Sequence, residues 1–304
     1  MKQYLLISNT AEYKINNNIL EYLSTTLKDI TFQEKPFKVL SPHKAYELEL
    51  QNKDINLELQ NSTRNFLSRN QIDCNFIKVT NHRKKKLLLA DMDSTIIKEE
   101  SLDELARQIG KEKEVAKITK DAMNGQIDFK KALLDRVAIL KGQPIKILEK
   151  LKNDIIINDG AMELVKTMKH NNSITVLVSG GFTFLTEYLK ELLGFNYSHA
   201  NSLEVSHNKL NDMFITGKVV DPILDKQAKA WYLDQYVIKN KLNYEDTVCV
   251  GDGANDIEMV KKAGFGVSYN GKKALDIEAN IHFKNTSLLG LLYAQGYSDN
   301  QIIS

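Results

Sequence analysis

Apolar positions in the first 80 residues follow two alternating patterns. Short runs such as residues 4–7 and 73–79 have the length and apolar character of strands, whereas residues 16–28 carry apolar side chains every three or four positions, as on one face of a helix. The pattern predicts strands at 4–7, 37–40, 46–50 and 73–79 and helices at 16–28 and 54–69. The resulting order, βαββαβ, predicts a small α+β unit at this end of the chain.

The next apolar run, Leu87–Ala90, is short and continuous and leads directly into Asp91. Runs of this kind suit a central parallel strand that is covered on both faces. The following pattern is helical and predicts four helices, at 101–109, 115–124, 128–140 and 144–152. Ser101 and Glu104 have the spacing of a capping box at the first of them. Four helices between a first strand and the rest of an α/β fold predict an inserted cap.

Strands and helices alternate again after Gly160. The pattern predicts strands at 174–178 and 247–250, helices at 183–193 and 226–239, and a hairpin at 200–220. Repeated βα units predict a doubly wound parallel sheet, with ligand sites beyond the carboxyl ends of the strands. We therefore predict an α/β protein in three parts: an N-terminal unit at 1–84, a core at 85–97 and 156–304, and a helical cap at 98–155.

Composition narrows the classes of protein that fit. The 41 Lys and Arg residues balance 39 Asp and Glu residues, so neither nucleic acid nor an anionic membrane is expected as the main partner. The basic run 82–86 could bind phosphate, but it precedes an apolar strand, and we expect a solvated junction there. The two cysteines, Cys74 and Cys249, lie in strand-like segments and are expected to be buried; two are too few for a disulfide framework or a Cys-rich zinc site. With no signal-like start and no apolar stretch of membrane-spanning length, we expect a soluble cytoplasmic protein.

Three apolar strands are followed by reactive residues. These segments are Asp91-Met92-Asp93-Ser94-Thr95, Ser179-Gly180-Gly181 and Gly251-Asp252-Gly253-Ala254-Asn255-Asp256. In a parallel sheet their strand ends share one edge, so four carboxylates would lie close together. Like charges at that density need a compensating cation, and Mg²⁺ prefers few carboxylates together with water and phosphate oxygens. The sequence therefore predicts a Mg²⁺ site at this edge.

Each segment alone permits another interpretation. Gly251-Asp252-Gly253 could begin a dinucleotide-binding loop, but Asp256 stands where that motif needs its third glycine. Ser179-Gly180-Gly181 could be only a tight strand-to-helix turn, and Asp-x-Asp is common in loops and caps. What makes the three segments specific is that each follows an apolar strand.

Together the motifs resemble those of the haloacid dehalogenase superfamily. DMDSTII, SGG and GDGAND match its first, second and fourth signatures, and Lys229 takes the place of the third. In the predicted cap, EESLDELA, ITKDAMNGQIDF and LLDRVAILKG are similar to stretches of its phosphoserine phosphatase family. The resemblance extends over about two thirds of the chain, from Leu87 to Ser287. The N-terminal unit resembles the ACT-like extension of some bacterial members.

The resemblance implies a role for each motif residue. Asp91 would be the nucleophile that forms an aspartyl-phosphate, and Asp93 would protonate the leaving oxygen and then activate water. Mg²⁺ would bind the carboxylates of Asp91 and Asp252 and the backbone carbonyl of Asp93, with Asp256 and Asn255 in support. The groups implied to contact the substrate phosphate or its surroundings are Ser179, Gly180, Lys229 and Asn255.

The resemblance also implies a small-molecule substrate, O-phospho-L-serine, hydrolysed to L-serine and phosphate in the last step of serine biosynthesis. Glu100 would bind the substrate ammonium, and Arg136 its carboxylate, whose two oxygens suit a guanidinium. Met123 and Phe129 would line the pocket that closes over the substrate. From the residues alone, Arg136 could instead form an internal salt bridge, and Met123 and Phe129 could be ordinary core.

Two other functions stay open at this point. The same chemistry could act on another small phosphorylated hydroxy acid, or transfer the phosphoryl group to a second acceptor. The chain could also be a regulatory amino-acid-binding protein with an inactive phosphatase domain, although the intact set Asp91, Asp93, Lys229 and Asp252 argues against this. The sequence is compatible with a homodimer.

Overall fold

The structure, a computed structural model, describes residues 2–11, 14–31, 37–51, 55–80, 82–123 and 127–304, without the side chains of 122, 123 and 129. Its strands are β1 Lys2–Ser8, β2 Lys38–Ser41, β3 Ala45–Leu50, β4 Asp73–Val79, β5 Leu87–Ala90, β6 Ile174–Phe182, β7 Tyr197–His207, β8 Met213–Val220, β9 Thr247–Gly251, β10 Phe265–Tyr269 and β11 Ile281–Phe283. Its α-helices are α1 Asn17–Thr26, α2 Leu57–Arg69, α3 Ser101–Gln108, α4 Glu112–Met123, α5 Phe129–Ala138, α6 Lys146–Asp154, α7 Ala161–His170, α8 Thr183–Leu193, α9 Lys226–Lys239, α10 Ile257–Lys262, α11 Lys273–Glu278 and α12 Leu289–Ala294.

Within these described residues, the larger sheet has seven strands in the order β11-β10-β9-β5-β6-β7-β8. Neighbouring strands are parallel except for the antiparallel pair β7 and β8, which forms the predicted hairpin. All four residues of β5 are fully buried, as expected for a strand covered on both faces. The predicted fold class, a doubly wound α/β sheet with an inserted helical cap and a small N-terminal α+β unit, is confirmed.

The smaller sheet, β2-β3-β1-β4, is antiparallel where its strands pair. Successive residues of β1 point to opposite faces of this sheet, and both faces are covered. Leu5 and Ile7 pack with α1 and α2, while Leu6 joins a cluster that includes Leu291 and Tyr293 of α12. The predicted order βαββαβ is confirmed, although residue 54, the predicted start of α2, lies outside the described residues.

Polar side chains join the outer strand of one sheet to the outer strand of the other. The Asn75 side chain of β4 accepts a hydrogen bond from the His282 N–H of β11 (2.8 Å) and donates one to the His282 carbonyl (2.9 Å). The Asp73 carboxylate accepts from the backbone N–H groups of Lys284 and Asn285 and from the Thr286 hydroxyl (2.7 Å). These contacts attach the N-terminal unit to the edge of the larger sheet.

The expectation of a solvated junction at 82–86 holds for His82, Lys84 and Lys86, which are exposed, but not for Arg83, which is half-buried, or Lys85, which is buried. Lys85 is only 5% exposed, and its ammonium donates to the Glu245 carbonyl (2.7 Å) while lying 3.9 Å from the Phe265 ring centroid. Arg83 stacks over the Tyr4 ring at 4.1 Å and forms an ion pair with Glu47. The four cations of this run are therefore paired with carboxylates, a carbonyl or aromatic faces, and Arg83 forms its pairs across the contact between the two units.

Two smaller expectations also change. The capping box is wrong, because α3 begins one residue earlier than that motif requires: Glu100 is the capping residue and makes no side-chain capping bond, and Ser101 is already helical. Cys249 is buried as expected, whereas Cys74 is only half-buried. None of the helices in the described part of the chain combines the length and apolar content that a membrane crossing needs.

Candidate active site

The three reactive segments meet at the carboxyl edge of the larger sheet. Ala90 of β5 is in register with Leu177 of β6 on one side and Val250 of β9 on the other. Asp91 and Asp252 therefore directly follow neighbouring strands, and Ser179 lies near the end of β6, where the regular pairing with β7 is interrupted after Val178. The predicted convergence of these segments is observed.

A buried lysine lies between two buried carboxylates at the base of the site. Asp225 caps α9 by accepting from the backbone N–H groups at its start, which places Lys229 on the first turn of the helix. Its Nζ lies 2.6 Å from Asp91 Oδ1 and 2.7 Å from Asp256 Oδ1. Lys229 is 1% exposed, and Asp256 is completely buried. The ammonium thus compensates two carboxylates that water cannot reach.

The electrostatics of this group are dominated by burial. Burial and the charge of Asp256 raise the pKa of Asp91 well above its usual range, although Lys229 opposes the change. Burial alone would lower the pKa of Lys229, but the Asp256 and Asp91 carboxylates outweigh it, and the pKa is raised. Lys229 therefore remains a cation, and further positive charge beside Asp91 would lower the pKa of that carboxyl again.

Asp256 is held by its own loop. Its Oδ2 accepts from the backbone N–H groups of Asp252 (3.2 Å) and Gly253 (3.1 Å). The glycine at 251 makes this possible, because a Cβ there would lie 2.3 Å from the Asp256 carboxylate. Since both oxygens of Asp256 already accept hydrogen bonds, this residue supports the site rather than offering a free oxygen.

Asp93 lines the cavity where the core meets the start of the cap. Its Oδ1 accepts from the backbone N–H of Ser101 at the start of α3 (2.9 Å), and its Oδ2 accepts from the Ser179 hydroxyl (3.4 Å). Burial raises the pKa of Asp93, and the bonds from Ser101 only partly oppose it. Gly181 is needed here, since a Cβ would lie 2.9 Å from Asp93 Oδ2. A raised pKa favours the protonated form of this carboxyl, which could then donate a proton.

Three buried carboxylates lie close together, and two of them keep an oxygen that could bind a cation. Oxygens of Asp91, Asp252 and Asp256 lie within 4.8 Å of one another, and all three residues are buried. Across the described residues, Asp91 Oδ2 and Asp252 Oδ1 accept no hydrogen bond, so each residue keeps an oxygen for a ligand. Two free carboxylate oxygens beside a cavity fit a hard cation such as Mg²⁺. The side chain of Asp93 is not part of this cluster.

Next to these carboxylates lies a cavity of about 570 Å³, within the usual range for a small-molecule site. Most of the residues predicted for the site line it: Asp91, Asp93, Glu100, Arg136, Gly180, Asp252 and Asn255. Ser179 and Lys229 lie behind this lining, within the hydrogen-bond network. The side chains of Met123 and Phe129 lie outside the described residues, so their predicted place in the pocket wall stays a prediction.

The cap contributes one arginine, Arg136, and two acids, Glu100 and Asp103, to the cavity. Asp128 caps α5, which carries Arg136 two turns later, and Arg136 Nε donates to the Ala132 carbonyl (3.2 Å). Among the described residues no carboxylate forms an ion pair with Arg136, so the internal salt bridge considered above is not observed. Withdrawal of solvent and the Asp93 charge raise the pKa of Glu100 to about 7. Glu100 Oε1 accepts from the Ser94 hydroxyl (2.9 Å).

Sequence reasoning missed several residues that line the cavity. Ser94 adopts a left-handed backbone conformation (φ 55°), which is unusual for serine and aims its hydroxyl at Glu100. Asp103 Oδ1 is buried without a hydrogen-bond partner among the described residues. Lys272 Nζ lies 3.2 Å from Asp252 Oδ2. Asp103 follows Glu100 by one helical turn and could have been found from that spacing, whereas nothing local marks Lys272.

Comparison with known proteins defines the class to which this fold and site correspond. The model of the haloacid dehalogenase-like hydrolases matches residues 88–261, more than half of the chain, and the chain belongs to this family.

Its relatives within the family are similar over the core and cap. A phosphoserine phosphatase of Methanocaldococcus jannaschii is 42% identical over 210 residues, which is 69% of this chain and 97% of the relative. One from Archaeoglobus fulgidus is 40% identical over 212 residues, which is 70% of this chain but only 60% of the relative. The unliganded structure of a probable phosphoserine phosphatase from Vibrio cholerae matches 97% of this chain and 86% of its own, with 28% identity and a TM-score of 0.78. Within its family, the chain belongs with the phosphoserine phosphatases.

Proposed function

We propose that the chain hydrolyses O-phospho-L-serine to L-serine and phosphate, with Mg²⁺, through an aspartyl-phosphate on Asp91. The observation that carries this proposal is a buried, lysine-held carboxylate at the base of a cavity whose cap side presents an arginine that forms no ion pair with any described residue. The first feature suits phosphoryl transfer, and the second suits a substrate with a carboxylate.

Asp91 has the arrangement of a nucleophile. Its Oδ1 accepts from Lys229 Nζ and from the Met92 backbone N–H (2.8 Å), which fixes the rotation of the carboxylate. The other oxygen, Oδ2, would then attack phosphorus. Fixing the nucleophile in this way lowers the entropic part of the barrier, because little motion is lost when the reaction begins.

Asp93 would act as acid and then as base. Its raised pKa favours the protonated form that the leaving serine oxygen requires, and its bond from Ser101 holds it at the junction of core and cap. Once serine has left, the same carboxylate would accept a proton from the water that attacks the aspartyl-phosphate.

The phosphate oxygens need donors and positive charge. The Ser179 hydroxyl accepts from the Gly181 N–H (2.8 Å), which orients it at the end of β6 beside the Gly180 backbone. Lys229 supplies one buried charge. Mg²⁺, held by Asp91, Asp252 and the Asp93 carbonyl, would supply two more and neutralise charge on the transferred group. The free oxygens of Asp91 and Asp252 support this set, with Asn255 alongside.

The cap would select an amino-acid phosphate. Arg136, which forms no ion pair among the described residues, would bind the substrate carboxylate. Glu100 would bind the ammonium, and its raised pKa is expected to fall when that cation arrives. Met123 and Phe129 are proposed as the apolar wall. The proposal keeps the division into an N-terminal unit at 1–84, a core at 85–97 and 156–304 and a cap at 98–155, in a cytoplasmic enzyme that could form a homodimer.

Phosphate release from O-phospho-L-serine, with Mg²⁺ or with EDTA, tests the proposal. We expect Mg²⁺-dependent release that strongly favours phosphoserine over phosphothreonine and p-nitrophenyl phosphate, and no release by Asp91→Asn. Circular dichroism of the variant shows whether it is folded. Turnover of the comparison substrates without turnover of phosphoserine would refute the roles of Glu100 and Arg136; no turnover of any substrate would refute the proposed function.

A further inference from the structure

Lys272 is a cation at the cavity that neither the motifs nor the proposed function uses. It caps α11, and its backbone N–H donates to the Asp252 carbonyl (2.8 Å), so the start of this helix is tied to the loop after β9. Its ammonium lies 3.2 Å from Asp252 Oδ2. The Lys272 side chain is 54% exposed and that of Asp252 is 9% exposed, so the lysine reaches from solvent onto a buried carboxylate.

The surroundings of Lys272 are acidic on both sides of the cavity. Asp252 and Asp256 face it from the core, and Glu100 and Asp103 lie within electrostatic range on the cap side. The carboxylate that it contacts is also one of those with an oxygen free for a cation. A lysine and a metal ion that share one carboxylate repel each other, because both are positive and the carboxylate carries a single negative charge.

We propose that Lys272 is a positioning residue that exchanges metal affinity for phosphate affinity. Before the metal binds, Lys272 neutralises Asp252. This stabilises the metal-free site and lowers its affinity for the metal. Once the metal shares Asp252, the long, half-exposed side chain is released toward the cavity, where it attracts the phosphate dianion. This inference rests on the proposed function, because it takes the bound anion to be a phosphate ester.

The exchange predicts effects of opposite sign, which a structural role would not produce. Lys272→Met should bind the metal more tightly and phosphate more weakly, with each dissociation constant changed about five-fold. This factor corresponds to the upper end of the energies found for partly exposed ion pairs. Lys272→Arg keeps the charge and should remain near the wild type in both. If the ammonium had only a structural role, its removal would disturb the loop after β9 and weaken the binding of both ligands.

The test uses the full chain and two binding measurements that need no turnover. Mn²⁺, as a spectroscopic substitute for Mg²⁺, is titrated by electron paramagnetic resonance, and inorganic phosphate is titrated by calorimetry at saturating Mg²⁺. Lys273→Met is the matched control, since it removes the same charge one residue further along, at an exposed position outside the cavity lining. Both effects should shrink at high ionic strength.

The exchange would be supported if Lys272→Met binds Mn²⁺ more tightly and phosphate more weakly than the wild type does, while Lys273→Met and Lys272→Arg show neither change. Weaker binding of both ligands, no change in either, or a change in only one would overturn it. Steady-state kinetics separate this result from the proposed function: if the wild type does not hydrolyse phosphoserine, the proposed function fails, while the two titrations still decide the role of Lys272.

Discussion

Replacing Lys229 with methionine isolates the contribution of its charge. Methionine has nearly the same length and no charge, so Lys229→Met leaves Asp91 and Asp256 as two buried carboxylates without their shared cation. Breaking a buried ion pair by removing one partner costs about 3–5 kcal/mol, because the remaining charge is neither solvated nor compensated. With Lys229 only 1% exposed, solvent screening does not reduce this figure much. We expect Lys229→Met to lose about that much free energy of unfolding in EDTA.

The loss should depend on pH with a definite sign. Burial already raises the pKa of Asp91, and removing Lys229 takes away the charge that opposes this shift, so the folded variant binds a proton more tightly than the unfolded chain does. Proton uptake then stabilises the folded state, and stability increases as the pH falls. The loss of free energy of unfolding in Lys229→Met should therefore be larger at pH 8 than at pH 6. Saturating Mg²⁺ should restore part of the stability at either pH.

Urea unfolding followed by circular dichroism measures this loss. Lys226→Met is the matched control, because it removes the same charge from an exposed position on the first turn of the same helix. A Lys229→Met protein as stable as Lys226→Met in EDTA would show that the buried pair contributes nothing. A deficit that grows on acidification would show that the carboxylates are not the groups left uncompensated.

Four further predictions follow from single features. Arg136→Lys should raise the KM for phosphoserine about ten-fold with little change in kcat, measured by phosphate release, because lysine cannot bind both oxygens of a carboxylate. Gly251→Ala should lower the free energy of unfolding by about 1–3 kcal/mol, since its Cβ would lie 2.3 Å from the Asp256 carboxylate; an unchanged urea midpoint would contradict this. Asp73→Ala should cost about 2–4 kcal/mol by the same assay, because backbone donors of the other unit lose their acceptor. In EDTA the wild type should gain stability relative to Glu100→Gln as the pH falls from 8 toward 6, because Glu100, with a pKa of about 7, takes up a proton; parallel pH profiles of the two proteins would contradict the raised value.

Sequence predicts those site residues whose positions follow from their immediate neighbours in the chain. Asp91 and Asp252 each follow a continuous apolar strand, and a parallel sheet brings such strand ends together. Lys229 could be assigned only by resemblance, because its spacing from Asp252 has no local meaning. Its position is set by the cap of α9 and by the depth at which that helix packs. Lys272 was missed for the same reason: its contact with Asp252 is tertiary and leaves no pattern in the sequence.

The junction between the two units shows why the remaining errors were physical rather than accidental. A charged run is usually solvated, but Lys85 and Arg83 are buried or half-buried because aromatic rings and acceptors of both units surround them. Asp73 and Asn75 likewise bond backbone groups more than 200 residues away along the chain. Buried polar groups must find partners, yet nothing in a local window says whether the partner is water or a distant carbonyl. Periodicity therefore predicts the two sheets separately, while the contact between them depends on polar residues that periodicity would assign to solvent.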